Sequence, residues 1–348
     1  MTDVTDPASV LLRYMALDSH VTPLPSDGLF YDDMHVGLRF PSPPGVHIDA
    51  SMATLYTAIC GDGLPLTQDQ SLCKQVTGSN ALLVNPALVL HVSIGASTVA
   101  TRNVIGNLFY RNVVLARQLY HGETLRTVTG VVAMADTRPK PNVAPRGKVV
   151  LSISTSTADG DIVVDYERCP LLPCRGNDAP GLADEIGPAA PELDLARFID
   201  AVPTGWDLDG LGAHDHWDLG TTRNDLQRDV VDMATALVRI THNQAAVHRD
   251  TEASSYDGRL VYGGHTVALA QASLGRVLSG MATVVGWHSC NHSAPVFEED
   301  ILSCSHTLVD QAAVNGGVLR AVHIEVKAHR KGSESTKVLD WTPIVYTT

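Results

Sequence analysis

The stretch HNQAAVH, residues 242–248, places Asn243 five residues before His248. An imidazole titrates near neutrality and can take or give a proton at physiological pH. An asparagine amide is no base there, but it orients a water or a carbonyl by hydrogen bonding. The first half of the chain repeats the spacing in GDGLPLT, residues 61–67, with Asp62 five residues before Thr67. Beyond His248, the run YGGHTVALAQAS sets Tyr262, Gly263, Gly264 and His265 at the start of an apolar helical pattern. Glycines there let a ligand approach the backbone closely, and the N–H groups of a helix start stabilise negative charge as it develops. The chemistry these types support is proton transfer beside a forming oxyanion.

Such residues need a frame to hold them. VVDMATALVRI, 230–240, reads as an amphipathic helix, and RLVY, 259–262, as a strand-like run before the glycines. The polar loop then lies between two packed helices. The chain also repeats itself. YRNVVLARQLYHGETL from Tyr110 aligns without a gap on WHSCNHSAPVFEEDIL from Trp287, an offset of 287 − 110 = 177. The same offset pairs NPALVLHVSIGAST with YGGHTVALAQASLG. Each helix is followed by strand patterns: TLRTVTGVVAM and KVVLSISTSTADGDIVVDYERC in the first half, with ADGD as a hairpin turn, and ILSCSHTLVDQ, GVLRAVHIEVKAH and VLDWTPIVYTT in the second. A long helix followed by mostly antiparallel strands, twice, gives an α+β pseudo-dimer whose sheets can pair edge to edge. The expected divisions are an N-terminal extension at 1–24, a first unit at 25–176, a Gly-, Pro- and acid-rich linker at 177–205 and a second unit at 206–348.

The two loops resemble the G-D-x-N-P-(L/I/V)-H loop of MaoC-like hydratases, a family that includes the (R)-specific enoyl-CoA hydratases. GDGLPLT keeps the Gly, Asp and Pro but ends in Thr67; HNQAAVH keeps the His but has Asn243 where the family has Asp. NQAAVH followed by RLVYGGHTVALAQ is similar to the second half of mesaconyl-CoA hydratases, which are double-hotdog members of the group. The motifs carry the resemblance mainly between residues 230 and 305. It implies a double hotdog, two tandem units each with a long central helix wrapped by a curved antiparallel sheet. It further implies a hydratase or dehydratase acting across C2–C3 of an enoyl-CoA, with a short branched or dicarboxylic acyl chain. That reaction needs a base at C3, an acid at C2 and a stabiliser for the thioester oxygen. His248 fits the acid–base part, Asn243 the orienting part, and Asp62 is the remaining half of the split dyad. Gly263, Gly264, His265, Tyr262 and Arg249 fall where substrate would lie, and the reaction calls for neither metal nor cofactor. The split dyad leaves a second reading open: a double hotdog that binds acyl-CoA thioesters without hydrating them. A thioesterase would need a carboxylate on a central helix, and neither helical pattern has one.

Bulk properties narrow the partners. A formal net charge of −13 argues against nucleic acid, which needs a clustered basic face. No window approaches the ~20 apolar residues of a membrane span. The acidic start lacks a signal-peptide pattern, so a cytoplasmic protein with six reduced cysteines is expected. Cys169 and Cys174 lack a second Cys/His pair to complete a zinc site. His288 and His292 read as core or pocket residues, and His214 and His216 as loop residues. Asp250 and His242 are placed to influence His248. Arg249, Arg259 and Arg276 are the cations nearest the second-half motifs, available to a CoA ester. Pseudo-dimers can pair again, so a homodimer is among the expectations.

Overall fold

A computed structural model describes residues 24–212 and 215–348; the expected N-terminal extension and His214 lie outside them, apart from Leu24. The first half runs β1 (Val46–Ile48), α1 (Ala50–Cys60), α2 (Gln70–Thr77), α3 (Pro86–Ser97), β2 (Gly106–Leu115), β3 (Glu123–Asp136), β4 (Arg146–Thr157) and β5 (Ile162–Pro173). The second half runs β6 (Thr222–Asn224), β7 (Asp229–Val230), α4 (Ala234–Ile240), α5 (Gly263–Val277), β8 (Met281–His292), β9 (Ile301–Val314), β10 (Gly317–His329) and β11 (Thr336–Thr347). The central helices begin at Pro86 and Gly263, again 263 − 86 = 177 apart. The repeat read from the sequence is therefore the repeat of the fold.

Local chemistry sets the helix starts. Asp49 and Asp69 cap α1 and α2 by accepting the Met52 and Leu72 N–H groups. Asn85 caps α3 through Ala87 N–H, with Pro86 at the first helical position. All 12 residues of α3 are buried, which is why its sequence is apolar on every side. Its Ser93 hydroxyl is satisfied by Thr155 at 2.6 Å and Tyr166 at 3.1 Å.

The strands form one antiparallel sheet in the order β1-β3-β4-β5-β2-β8-β11-β10-β9-β6, with β7 beside β9. The order is symmetric about the β2–β8 junction, where Tyr110 faces Cys290, Val113 faces Trp287 and Val114 faces Gly286. That pairing joins the two units edge to edge and removes an open edge from each. One apolar core, including both central helices, spans the halves. The architecture is a double hotdog, an α+β fold.

Two expectations are corrected. The helix before the polar loop starts only at Ala234, because Met233 takes a left-handed φ of 52° and Asp229–Val230 pairs with β9. RLVY forms no strand; its Arg259 is tied into an ion pair with Glu298. The linker stretch 177–205 packs on the sheet at a few points. Ile186 and Ala189 lie on a small cluster around Phe109, Val150 and Cys169, and Leu195, Phe198 and Ala201 are buried.

Candidate active site

The two polar loops fold alike. Asp62 accepts the Leu64 N–H at 2.9 Å, and Asn243 accepts the Ala245 N–H at 2.9 Å, each two residues on. A single 3-10 turn follows each, Pro65–Thr67 in one and Ala246–His248 in the other. Thr67 and His248 thus hold equivalent places. Each loop also lies on the other half's central helix. A Cβ on Gly63 would come within 2.8 Å of Gly275 Cα on α5, and one on Gly95 of α3 would collide with the Thr241 carbonyl group. Gln244 N–H to the Thr98 hydroxyl at 2.7 Å and Ala246 N–H to the Arg102 carbonyl at 2.9 Å complete the seat of the second loop.

Only the second loop borders the best-formed cavity among the described residues, which has a volume of about 230 Å³. The second half lines it with Asn243, His248, Tyr262 and Gly263, and the first half with Tyr110 and Arg168. The imidazole of His248 donates from Nδ1 to the Leu260 carbonyl at 2.9 Å, since a carbonyl can only accept. Its other nitrogen, Nε2, is then the lone-pair nitrogen. Burial, with the Arg168 charge adding to it, lowers the His248 pKa to about 4, so the ring is neutral at physiological pH. The His248 and Tyr262 ring centroids are 5.6 Å apart, and Tyr262 is the N-cap of α5. The imidazole is therefore held beside the positive tip of that helix.

The remaining expected residues distribute as follows. Asn243 is buried and lines the cavity; Oδ1 accepts from its own loop, and the amide NH₂ is the side chain's donor. Gly263 lines the cavity, whereas Gly264 packs beneath the Tyr262 ring. His265 is fully buried behind the tip, and Arg249 folds back so that its Nε donates to the Asn243 carbonyl at 2.8 Å. Neither lines the cavity. Asp62 is not brought to it either. Its carboxylate is consumed locally by Leu64 N–H and by the Thr67 hydroxyl at 2.8 Å, and burial raises its pKa. The first-half helix tip beside it starts with Pro86, which has no N–H to offer, and Asn85 there is held by Gln271 at 2.7 Å.

Of the secondary candidates, His292 lines the cavity, and His288 on the same strand does not. His242 and Asp250 are exposed, and Arg276 is paired with Asp225 and Asp229. Sequence reasoning missed Arg168 and Tyr110. An arginine alternating with Tyr166 and Val164 on an inward strand face was the available signal.

Comparison with known proteins agrees with the fold. No family model matches the chain. The beta-methylmalyl-CoA dehydratase of Chloroflexus aurantiacus is 23% identical over 317 residues, 86% of this chain and 88% of that protein. The mesaconyl-CoA hydratase of Cereibacter sphaeroides is 23% identical over 322 residues, 88% and 91% of the two chains. Among solved structures, Rv0216 of Mycobacterium tuberculosis, a double-hotdog protein, is 34% identical with a TM-score of 0.85 and covers 93% of this chain and 100% of its own. The chain shares the double-hotdog family of Rv0216 and resembles the MaoC-like hydratases and dehydratases.

Proposed function

We propose that the protein adds or removes water across the C2–C3 bond of an enoyl-CoA thioester, with a short branched or dicarboxylic acyl chain. One observation carries this reading: a neutral imidazole, fixed in one tautomer by the Leu260 carbonyl, lines a small cavity at the N-terminus of α5. In hydration, His248 Nε2 takes a proton from water as the oxygen bonds to C3. The C2–C3 electron pair moves toward the carbonyl, and charge gathers on the thioester oxygen. Backbone N–H groups at the Gly263 tip are unsatisfied within the helix and face that charge. A proton then returns to C2, and dehydration is the reverse. The Asn243 amide orients the water or the carbonyl. The names of the two CoA-acting relatives support the substrate class.

The test is hydration of crotonyl-CoA and mesaconyl-CoA by wild type and His248→Ala. Loss of the general base lowers kcat by about 10²- to 10⁴-fold. Equal rates for the two proteins end this reading. Tight thioester binding with no turnover by wild type replaces it with a binding protein.

A further inference from the structure

The cavity that holds His248 is lined by residues of both halves, and among the described residues Arg168 is its one permanently charged group. No aspartate or glutamate among the described residues lines it. Arg168 sits on β5, is 3% exposed, and donates from Nη2 to the Ser97 carbonyl at 3.1 Å and the Thr101 hydroxyl at 2.8 Å. These neutral acceptors orient the guanidinium without cancelling its charge. Among the described residues its Nε has no partner. The neighbouring Glu167, which alternation turns to the other face of the strand, is bound by Arg111 at 2.6 Å. A protein with a net charge of −13 thus keeps a cation inside a pocket, and among the described residues no carboxylate is paired with it. A buried charge costs several kcal/mol unless something pairs with it.

We infer that Arg168 receives a carboxylate on the acyl chain of the substrate, so that the first half reads the acid while the second half performs the hydration. The inference rests on the thioester reading for the rest of the ligand. Guanidinium N–H groups suit a carboxylate in a planar, two-point contact. A cavity of about 230 Å³ has room for a short acyl chain. The Arg168 side chain is held from the end of α3 and lines the same cavity as the α5 tip, so a ligand reaching both would carry its thioester at the tip and its acid at Arg168.

The experiment is calorimetric binding of succinyl-CoA and butyryl-CoA, two saturated four-carbon thioesters that differ in a terminal carboxylate against a methyl. Wild type is expected to bind succinyl-CoA about 10- to 100-fold more tightly, the range of a charge-assisted hydrogen bond. In Arg168→Gln the preference falls below about 3-fold, and Arg168→Lys, which keeps the charge without the fork, is intermediate. Equal binding by wild type, or a preference that survives in Arg168→Gln, overturns the inference. The wild-type comparison stands even where the Gln variant does not fold. Selective binding without hydration of mesaconyl-CoA leaves the carboxylate site standing and removes the hydratase reading. Failure of both thioesters to bind removes both.

Discussion

Gly95→Ala separates a 241–248 loop that is merely near α3 from one that is seated on it. In the middle of a buried helix, alanine is favoured over glycine by about 1 kcal/mol on propensity alone. The new Cβ would overlap the Thr241 carbonyl oxygen, lie 2.8 Å from its carbon and 3.3 Å from the Asn243 nitrogen. These are backbone atoms, so no side-chain rotation relieves the collision. Reaching an ordinary ~3.5 Å separation needs a shift of about 1 Å or more. The loop is pinned on both sides of the collision, by Leu237 through Thr241 and by Thr98 and Arg102 through Gln244 and Ala246. Overpacking of a tight core costs about 1–3 kcal/mol, which outweighs the propensity gain or at least cancels it. Function is hit harder than stability. Asn243 and His248 move with the loop, and a 1 Å misplacement of reacting groups costs about 10²-fold in rate. The assay pairs urea unfolding with loss of the conjugated enoyl absorbance on hydration. A Gly95→Ala protein that is more stable than wild type and hydrates within about 3-fold of it refutes the seating of the loop.

Three further outcomes are expected. Burial holds His91 at about 3 and His292 and His306 at about 4, against an unfolded value near 6.5. The unfolded chain therefore binds more protons below pH 6.5. Stability present above 6.5 is lost as pH falls toward 4, at up to about 1.4 kcal/mol per pH unit for each histidine. Urea curves that superimpose at pH 6.5 and pH 5 contradict this. Because His248 sits at about 4, kcat/KM stays level from pH 8 down to pH 6; an acid limb near 6.5 would mean that the imidazole is solvated. Asp62→Asn weakens the Thr67 hydroxyl contact and lowers stability by about 1 kcal/mol, yet changes kcat by less than about 5-fold, as measured by the same two assays.

Much of this was legible in the chain, and the physical reasons divide cleanly. The double unit is visible because an apolar helix and its strands recur at a constant offset of 177, and periodicity survives where residue identity does not. Asn243, His248 and Gly263 were legible because they are close in sequence and set by loop and helix-start chemistry. Arg168 and Tyr110 were not. They reach the site because β5 and β2 stand beside β8 in the shared sheet, a juxtaposition created by tertiary pairing and absent from any local pattern. The late start of α4 was also hidden, since the apolar spacing of 230–240 continues through Met233 while the backbone there turns left-handed. Asp62 looked like half of a dyad because the spacing is right; the fold gives it the matching place in the other loop, where a threonine and a proline have replaced the partners it would need.

The crossing of the loops accounts for that asymmetry. Each loop packs on the central helix of the opposite half, through Gly63 on α5 and Gly95 on α3. Neither loop can therefore be removed without uncovering a buried helix. Chemistry is not bound by the same constraint. Once two units are fused, one cavity suffices, and the second loop–tip pair is free to drift so long as its backbone still fills the space. In the first half an aspartate held by its own loop, a threonine and a proline-led helix keep the packing and give up both the base and the first N–H donor. In the second half the imidazole and the glycine tip remain, while the released first half supplies a cation that a symmetric pair of sites would have had to duplicate. On the proposed reading, a single site is the physical condition under which the two halves divide acid recognition and proton transfer between them.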